Sequence, residues 1–183
     1  MSTDSEEGIE TIDVEVVTSD GSIPMIKSNL SKIQVGMIWY VGNTCSFERI
    51  SGKKVKAVIE LIEGSKIYGD LTASELQDIQ EKELSWYDVK KYINNFSYPC
   101  KANEKVVWYD VEQLKKICNT YDYVRKTFEI LRKKGRDSSY WTSSNEDFFG
   151  ETAWTVSWNI KNRIFYDKSE LMYFRPVLRV KLQ

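Results

Sequence analysis

A chain of 183 residues with 42% hydrophobic and 13% aromatic residues is long enough to bury a substantial core within one domain. Its 26 basic and 27 acidic residues leave a net charge of −1, which offers no field suited to nucleic acid or an anionic membrane, and no apolar run reaches the length of a transmembrane segment. Histidine is absent, which excludes Ser-His and Cys-His nucleophilic pairs, His-ligated zinc and histidine general bases.

Residues 1–10 are acidic, Ser-rich and aperiodic, and read as a disordered N-terminus ahead of a single domain over 11–183. Met1 to Gly8 has neither the basic nor the apolar region of a secretory signal; the expectation is a chain not exported by that route, or one whose export segment has been removed. Ile12 to Val17 alternates like a half-buried strand, and Ser19 to Ser22 is a turn. Val35 to Val41 predicts an apolar strand ended by Gly42-Asn43. Val55 to Ile62 predicts another, turned by Glu63-Gly64-Ser65 into Lys66 to Gly69.

Helical signals follow. Ser74 to Lys82 reads as a short helix. Ser85 is placed to cap a helix running to Asn95, with Trp86, Val89, Ile93 and Phe96 on one face and Pro99 beyond its end. Val106 to Tyr109 is extended. Asp110 caps a helix whose stripe is Val111, Leu114 and Ile117. Asp122 to Lys134 predicts a further helix with Val124, Phe128 and Leu131 inward, ended by Lys133, Lys134 and Gly135.

From Tyr140 the period becomes two. Trp154, Val156 and Trp158 fall on one side of a strand; Ala153, Thr155 and Ser157 fall on the other. Asn159 and Asn162 flank a turn into a hairpin partner, Arg163 to Asp167. Phe174 to Leu182 reads as the last strand, with Pro176 marking an edge or a bulge. The three cysteines, Cys45, Cys100 and Cys118, form no C-x-x-C pair; three free thiols are the simpler reading and a Cys100–Cys118 bridge the alternative. The order of elements is that of an α+β domain.

Several segments carry a resemblance: Trp86 at a helix start, Trp108 ahead of Glu112-Gln113-Leu114, Tyr140-Trp141-Thr142-Ser143-Ser144, Ala153-Trp154 and Arg175-Pro176-Val177. In this order they resemble bacterial lectin-like domains of unknown function, including the major paralogous domains of gut-bacterial surface proteins. The resemblance spans 34–182 and is strongest over 86–182. It implies a C-type-lectin-like fold, with two main helices packed on antiparallel sheets and long loops on one side. It also implies a recognition or adhesion module at the cell surface or outside the cell. Tyr109-Asp110-Val111 departs from the usual Leu-Pro-Ser. The sugar-binding tripeptides of calcium-dependent animal lectins are absent, as is any cysteine after Cys118 of the kind the oxidative enzymes of this fold use.

The most site-like loop is Ser143 to Glu151. Asn145, Glu146, Asp147 and Glu151 offer hard oxygen ligands of the kind calcium takes, but without EF-hand spacing, so a solvated acidic loop is the simpler reading and no cofactor or metal is expected. Phe148 and Phe149 are adjacent and cannot both face inward from one strand. Trp141 and Trp154 read as core. Tyr140, Trp158, Asn159 and Tyr166 are candidate contact residues. The expected ligand surface is therefore the loops 143–151 and 157–168. It comprises Tyr140, Asn145, Asp147, Phe148, Phe149, Trp158, Asn159 and Tyr166 and takes a glycan, peptide or protein. Arg175 reads as a structural cation that pairs with a buried carboxylate or with carbonyls, and Glu112 serves its helix dipole or meets Arg175. The run Lys126, Arg132, Lys133, Lys134 and Arg136 reads as a solvated helix end. No pair of acids marks a catalytic cleft, so no enzyme is expected. Two other readings are a variable protein of a diversity-generating retroelement and a structural phage or pilus subunit.

Overall fold

The computed structural model describes residues 15–16, 32–74, 82–96, 102–145 and 150–182. In chain order they form β1 (Glu15–Val16), β2 (Ile38–Tyr40), β3 (Thr44–Ser46), β4 (Val55–Glu63), β5 (Lys66–Asp70), β6 (Glu83–Leu84), α1 (Trp86–Asn95), β7 (Glu104–Val107), α2 (Val111–Asn119), α3 (Asp122–Ile130), β8 (Ser139–Trp141), β9 (Thr152–Ser157), β10 (Asn162–Asp167), β11 (Met172–Tyr173) and β12 (Val177–Lys181). The architecture is mixed α+β, with helices packed against two sheets. The larger sheet has the order β1-β3-β2-β4-β5-β12-β7, and the smaller β10-β9-β8-β11-β6. Among the described residues, only β1–β3 and β8–β11 pair in parallel. Among the described residues, no helix is long and apolar enough to cross a membrane.

Local chemistry explains the helix starts. The Ser85 hydroxyl accepts the Asp88 N–H, and the Trp86–Val89 spacing turns both side chains inward. Asp110 and Gln113 form a reciprocal capping box at the start of α2. There are three helices among the described residues rather than two main ones, and α3 ends at Ile130 instead of Lys134. Arg132 takes a left-handed φ of 54°, the Lys133 N–H donates to Phe128 O, and the Arg132 N–H donates to Glu129 O. That is a Schellman ending, three residues ahead of Gly135.

The core has three parts. Tyr40, Val58, Leu114, Phe128, Tyr140 and Val177 represent the first, between α2, α3 and the two sheets. Trp39, Ile59, Ile67, Leu178 and Val180 lie on the opposite face of the larger sheet. Trp86, Val89, Trp141, Ala153 and Phe174 join α1 to the smaller sheet. Both faces of β9 are covered, since Thr155 and Val156 are each fully buried; its alternation separates two buried sides.

The expected last strand is two strands. β11 belongs to the smaller sheet and β12 to the larger, and Phe174-Arg175-Pro176 crosses between them. β12 lies between β5 and β7, so Pro176 marks neither an edge strand nor a bulge; its carbonyl accepts the Leu71 N–H at 3.0 Å. Of the expected N-terminal strand only Glu15–Val16 is described. The expected helix over 74–82 and the disordered segment 1–10 lie outside the described residues, apart from Ser74 and Lys82.

Candidate ligand face and the ionic core beneath it

The larger sheet is irregular at two points of β4, and both irregularities carry a charge. The register steps from Ile59↔Gly69 to Leu61↔Tyr68, leaving Glu60 as the extra residue, and from Trp39↔Ala57 to Tyr40↔Val55, leaving Lys56 as the other. A bulge re-aims its side chain. Lys56 reaches Glu104 at 2.7 Å, and Glu60 reaches Arg136, whose Nε and Nη2 donate to its two oxygens at 2.8 and 3.2 Å. Tyr109 donates its hydroxyl to Glu60 at 2.9 Å. Beside this pair, Arg175 Nε donates to Asp70 at 2.8 Å, and the Thr72 N–H and hydroxyl bond the other Asp70 oxygen at 2.9 and 2.7 Å. Arg175 also bonds the Thr72 hydroxyl, and donates to the Lys134 carbonyl at 2.9 Å.

These groups are closed to solvent. Burial pushes the Glu60 carboxyl up, against the pull of Arg136. Burial would also raise Asp70, but Arg175, Arg136 and the Thr72 donors hold it below its ordinary 3.8. Burial disfavours charge on Arg136, yet Glu60 and Asp70 raise it well above its ordinary value. Tyr109 is pushed up by burial and then by Glu60, which keeps it a proton donor. The arrangement binds β4, β5, the segment after α3 and the crossover at Arg175 into one clamp. Arg136 is therefore a buried structural cation and not part of a solvated helix end. Glu112 does not meet Arg175; it lies on the surface, 3.5 Å from Arg163.

The smaller sheet positions the candidate contact residues. Tyr140 is fully buried, its hydroxyl accepts the Asp137 N–H at 2.8 Å, and it is a core residue rather than a contact. Trp158 is half-buried, edge-on to Tyr140 at 5.2 Å and to Tyr121 at 5.4 Å. Tyr166 is half-buried against the third core cluster, whereas Asn145 and Asn159 are exposed. Asp147, Phe148 and Phe149 lie outside the described residues, as do Glu146 and Cys100. Cys118 is a free buried thiol, as is Cys45.

The expected second loop, 157–168, is a turn at 158–161 followed by β10. The turn lies at the far end of the six-residue β9 from the 143–151 loop, roughly 20 Å away, whereas Lys168 returns beside it and donates its N–H to Glu151 O at 2.7 Å. Both described ends of the first loop are anchored. Ser143 N–H donates to Tyr109 O, Ser144 Oγ accepts the Val111 N–H, and the buried Lys168 donates to Gly150 O at 2.6 Å. Between the loops runs β10, the edge of the sheet, paired residue for residue with β9. Its Phe165 is 60% exposed and stands edge-on to the half-buried Trp154 at 5.3 Å, while the Arg163 guanidinium lies 4.8 Å from the same indole. Ile160 in the turn is 57% exposed. The buried Nε1 atoms of Trp154 and Trp158 have no acceptor among the described residues.

Sequence reasoning thus missed Phe165 and Arg163 as surface partners of Trp154. The signal was present: in the hairpin, Phe165 falls opposite Trp154 and on the other side from Tyr166. Among the described residues, no group of three or more His, Cys, Asp or Glu side chains is arranged to hold a metal. The sequence matches no protein-family model and no curated protein.

Proposed function

We propose that this chain is a non-enzymatic recognition module whose ligand surface centres on β10, flanked by the 143–151 loop and the 158–161 turn. The observation that carries the reading is the exposed Phe165–Trp154–Arg163 group on a rigid six-pair ladder. An aromatic anchor with a polar surround is the composition that dominates binding energy at protein surfaces. A planar ring and a guanidinium suit a sugar face, a peptide side chain or a partner protein alike. A C-type-lectin-like identity and a place at the cell surface belong to the same reading. Both rest on the ordered motifs from Trp86 to Val177.

The test is a glycan array and a peptide library probed with the wild type, Phe165→Ala and Asn145→Ala. The expected outcome is one ligand class whose binding falls at least tenfold in Phe165→Ala while the fold is retained. Hits bound equally by all three proteins would sink the reading. The position of β10 at a sheet edge favours one further reading, a subunit that pairs edges within an assembly. Concentration-dependent sedimentation that Phe165→Ala abolishes would favour it over a free binding module.

A further inference from the structure

A second surface lies at the far end of the larger sheet, apart from β10. Lys66 on β5 stands directly opposite Lys181 on β12, and Arg179 on β12 directly opposite Lys105 on β7. Directly opposed residues share a face, so the four cations form two adjoining rows on one side of the sheet. Together with Ser65, Asn103 and Glu104 they line an open cleft of about 820 Å³.

Like charges opposed across a ladder repel one another and destabilise the sheet. Nearby acids do not relieve this. Glu104 lines the cleft, but it pairs in register with Val180 rather than with a cation of the two rows, and its carboxylate is held by Lys56 at 2.7 Å. Glu63, across from Lys66, is engaged by Gln113 at 2.6 Å and Lys116 at 3.6 Å. Among the described residues, none of the four cations has a carboxylate within ion-pair distance. A chain of net charge −1 has no general excess of cations to place here, so the local concentration is specific to the cleft.

We infer that this cleft binds a compact polyanion, a ligand carrying at least two phosphate or sulfate groups. Neighbouring strands are about 5 Å apart and alternate residues about 7 Å apart, so one oxyanion spans a single row and a chain of two or three spans both. Arg179 supplies a planar fork for paired oxygens, and the three lysines supply compact charges. Ser65 and Asn103 add neutral polar groups at the rim. Nucleic acid fits less well, because no aromatic side chain lines the cleft to stack a base and the chain as a whole is not basic.

Titration calorimetry at low ionic strength tests this, with tripolyphosphate and a heparin-derived sulfated disaccharide as probes and oligothymidine as the competing class. The expected result is one site per chain for at least one of the two small anions, with affinity that falls as salt rises. The tighter of the two separates a phosphate from a sulfate source. Arg179→Gln/Lys181→Gln should weaken binding at least tenfold, while Lys126→Gln/Lys133→Gln and Phe165→Ala leave it unchanged. Lys105→Glu puts an opposite charge across from Arg179 on the edge strand β7; it should raise the melting temperature by about 1–3 °C and weaken the anion at least tenfold. No saturable binding of either anion, equal loss in the two double variants, unchanged affinity in Lys105→Glu, or tighter binding of oligothymidine would each overturn the inference. Loss of glycan or peptide binding at β10 leaves it standing, because the two surfaces share no residue.

Discussion

Each of Glu60, Asp70, Arg136 and Arg175 is buried against an oppositely charged partner. Removing one member strands its partner in a medium that cannot solvate it. Arg136→Met should therefore lower the unfolding free energy by about 3–5 kcal/mol. Arg125→Met breaks the exposed pair with Asp122 at 2.8 Å and should cost no more than about 0.5 kcal/mol. Urea midpoints of the two variants decide this, and similar midpoints would mean the clamp is not a unit. The pH dependence follows from Asp70. Its folded pKa lies below the ordinary 3.8, so its stabilising contribution is complete above 3.8 and is lost as pH falls through the lower folded value. Asp70→Asn lacks that contribution at every pH. The melting-temperature gap between wild type and Asp70→Asn should hold at neutral pH and narrow below about pH 3.8. A gap independent of pH would mean that Asp70 is not held ionised by Arg175. Cys45 gives a simpler test of burial. Its thiol is pushed up to about 12 by desolvation, against a smaller pull from Lys56. Iodoacetamide at pH 8 should label Cys45 only after unfolding, as read by peptide mass mapping.

At the level of elements, the bulges of β4 are placed against close packing on β5. Gly69 has no room for a side chain, since a Cβ there would stand 2.7 Å from the Ala57 Cβ. Gly69→Ala should force β4 and β5 apart and cost about 1–3 kcal/mol. Adding Ala57→Gly should return part of that loss, and a purely additive double variant would show that the two residues do not collide. The same elements show what the sequence disclosed. Ser85 and Asp110 announced α1 and α2 because a cap is a local signal, and the β9–β10 hairpin was legible from alternation around Asn159 and Asn162. The end of α3 was not, because Arg132 takes the left-handed conformation that sequence reasoning assigns to glycine. Arg136 was misread because a cation in a basic run looks solvated, and its partner Glu60 lies 76 residues away. The strand break around Pro176 was hidden for a related reason. The assignment of 172–173 and 177–181 to different sheets depends on partners far along the chain. The candidate face was half legible: Asn145 and Asn159 are exposed, but Tyr140 and Phe165 share one side of the smaller sheet, and their different burial follows from β8 lying inside that sheet and β10 at its edge.

For the molecule as a whole, the last described strand lies inside the larger sheet, one strand from its β7 edge. β12 pairs with β5, whose residues precede it by more than a hundred positions, and with β7 on its other side. The residues just before it carry the crossover between sheets, and Arg175 there completes the Asp70 site. Neither the β5–β7 region nor the ionic clamp can be complete until Arg175 and β12 are in place. Folding should therefore be one late, cooperative event, slow for a chain of this size because its contacts are non-local. Truncation after Pro176 tests the point. It removes Val177, Leu178 and Val180, all fully buried, and exposes the edges of β5 and β7 together. The expected product lacks a cooperative unfolding transition and near-ultraviolet dichroism and tends to aggregate. Supplying 177–183 as a separate peptide should restore both signals in proportion to peptide bound, because the missing strand has a defined register on each side. A truncated protein that unfolds cooperatively at an unchanged temperature would show that β12 is an addition to a sheet already closed, and would contradict its role as the link between β5 and β7.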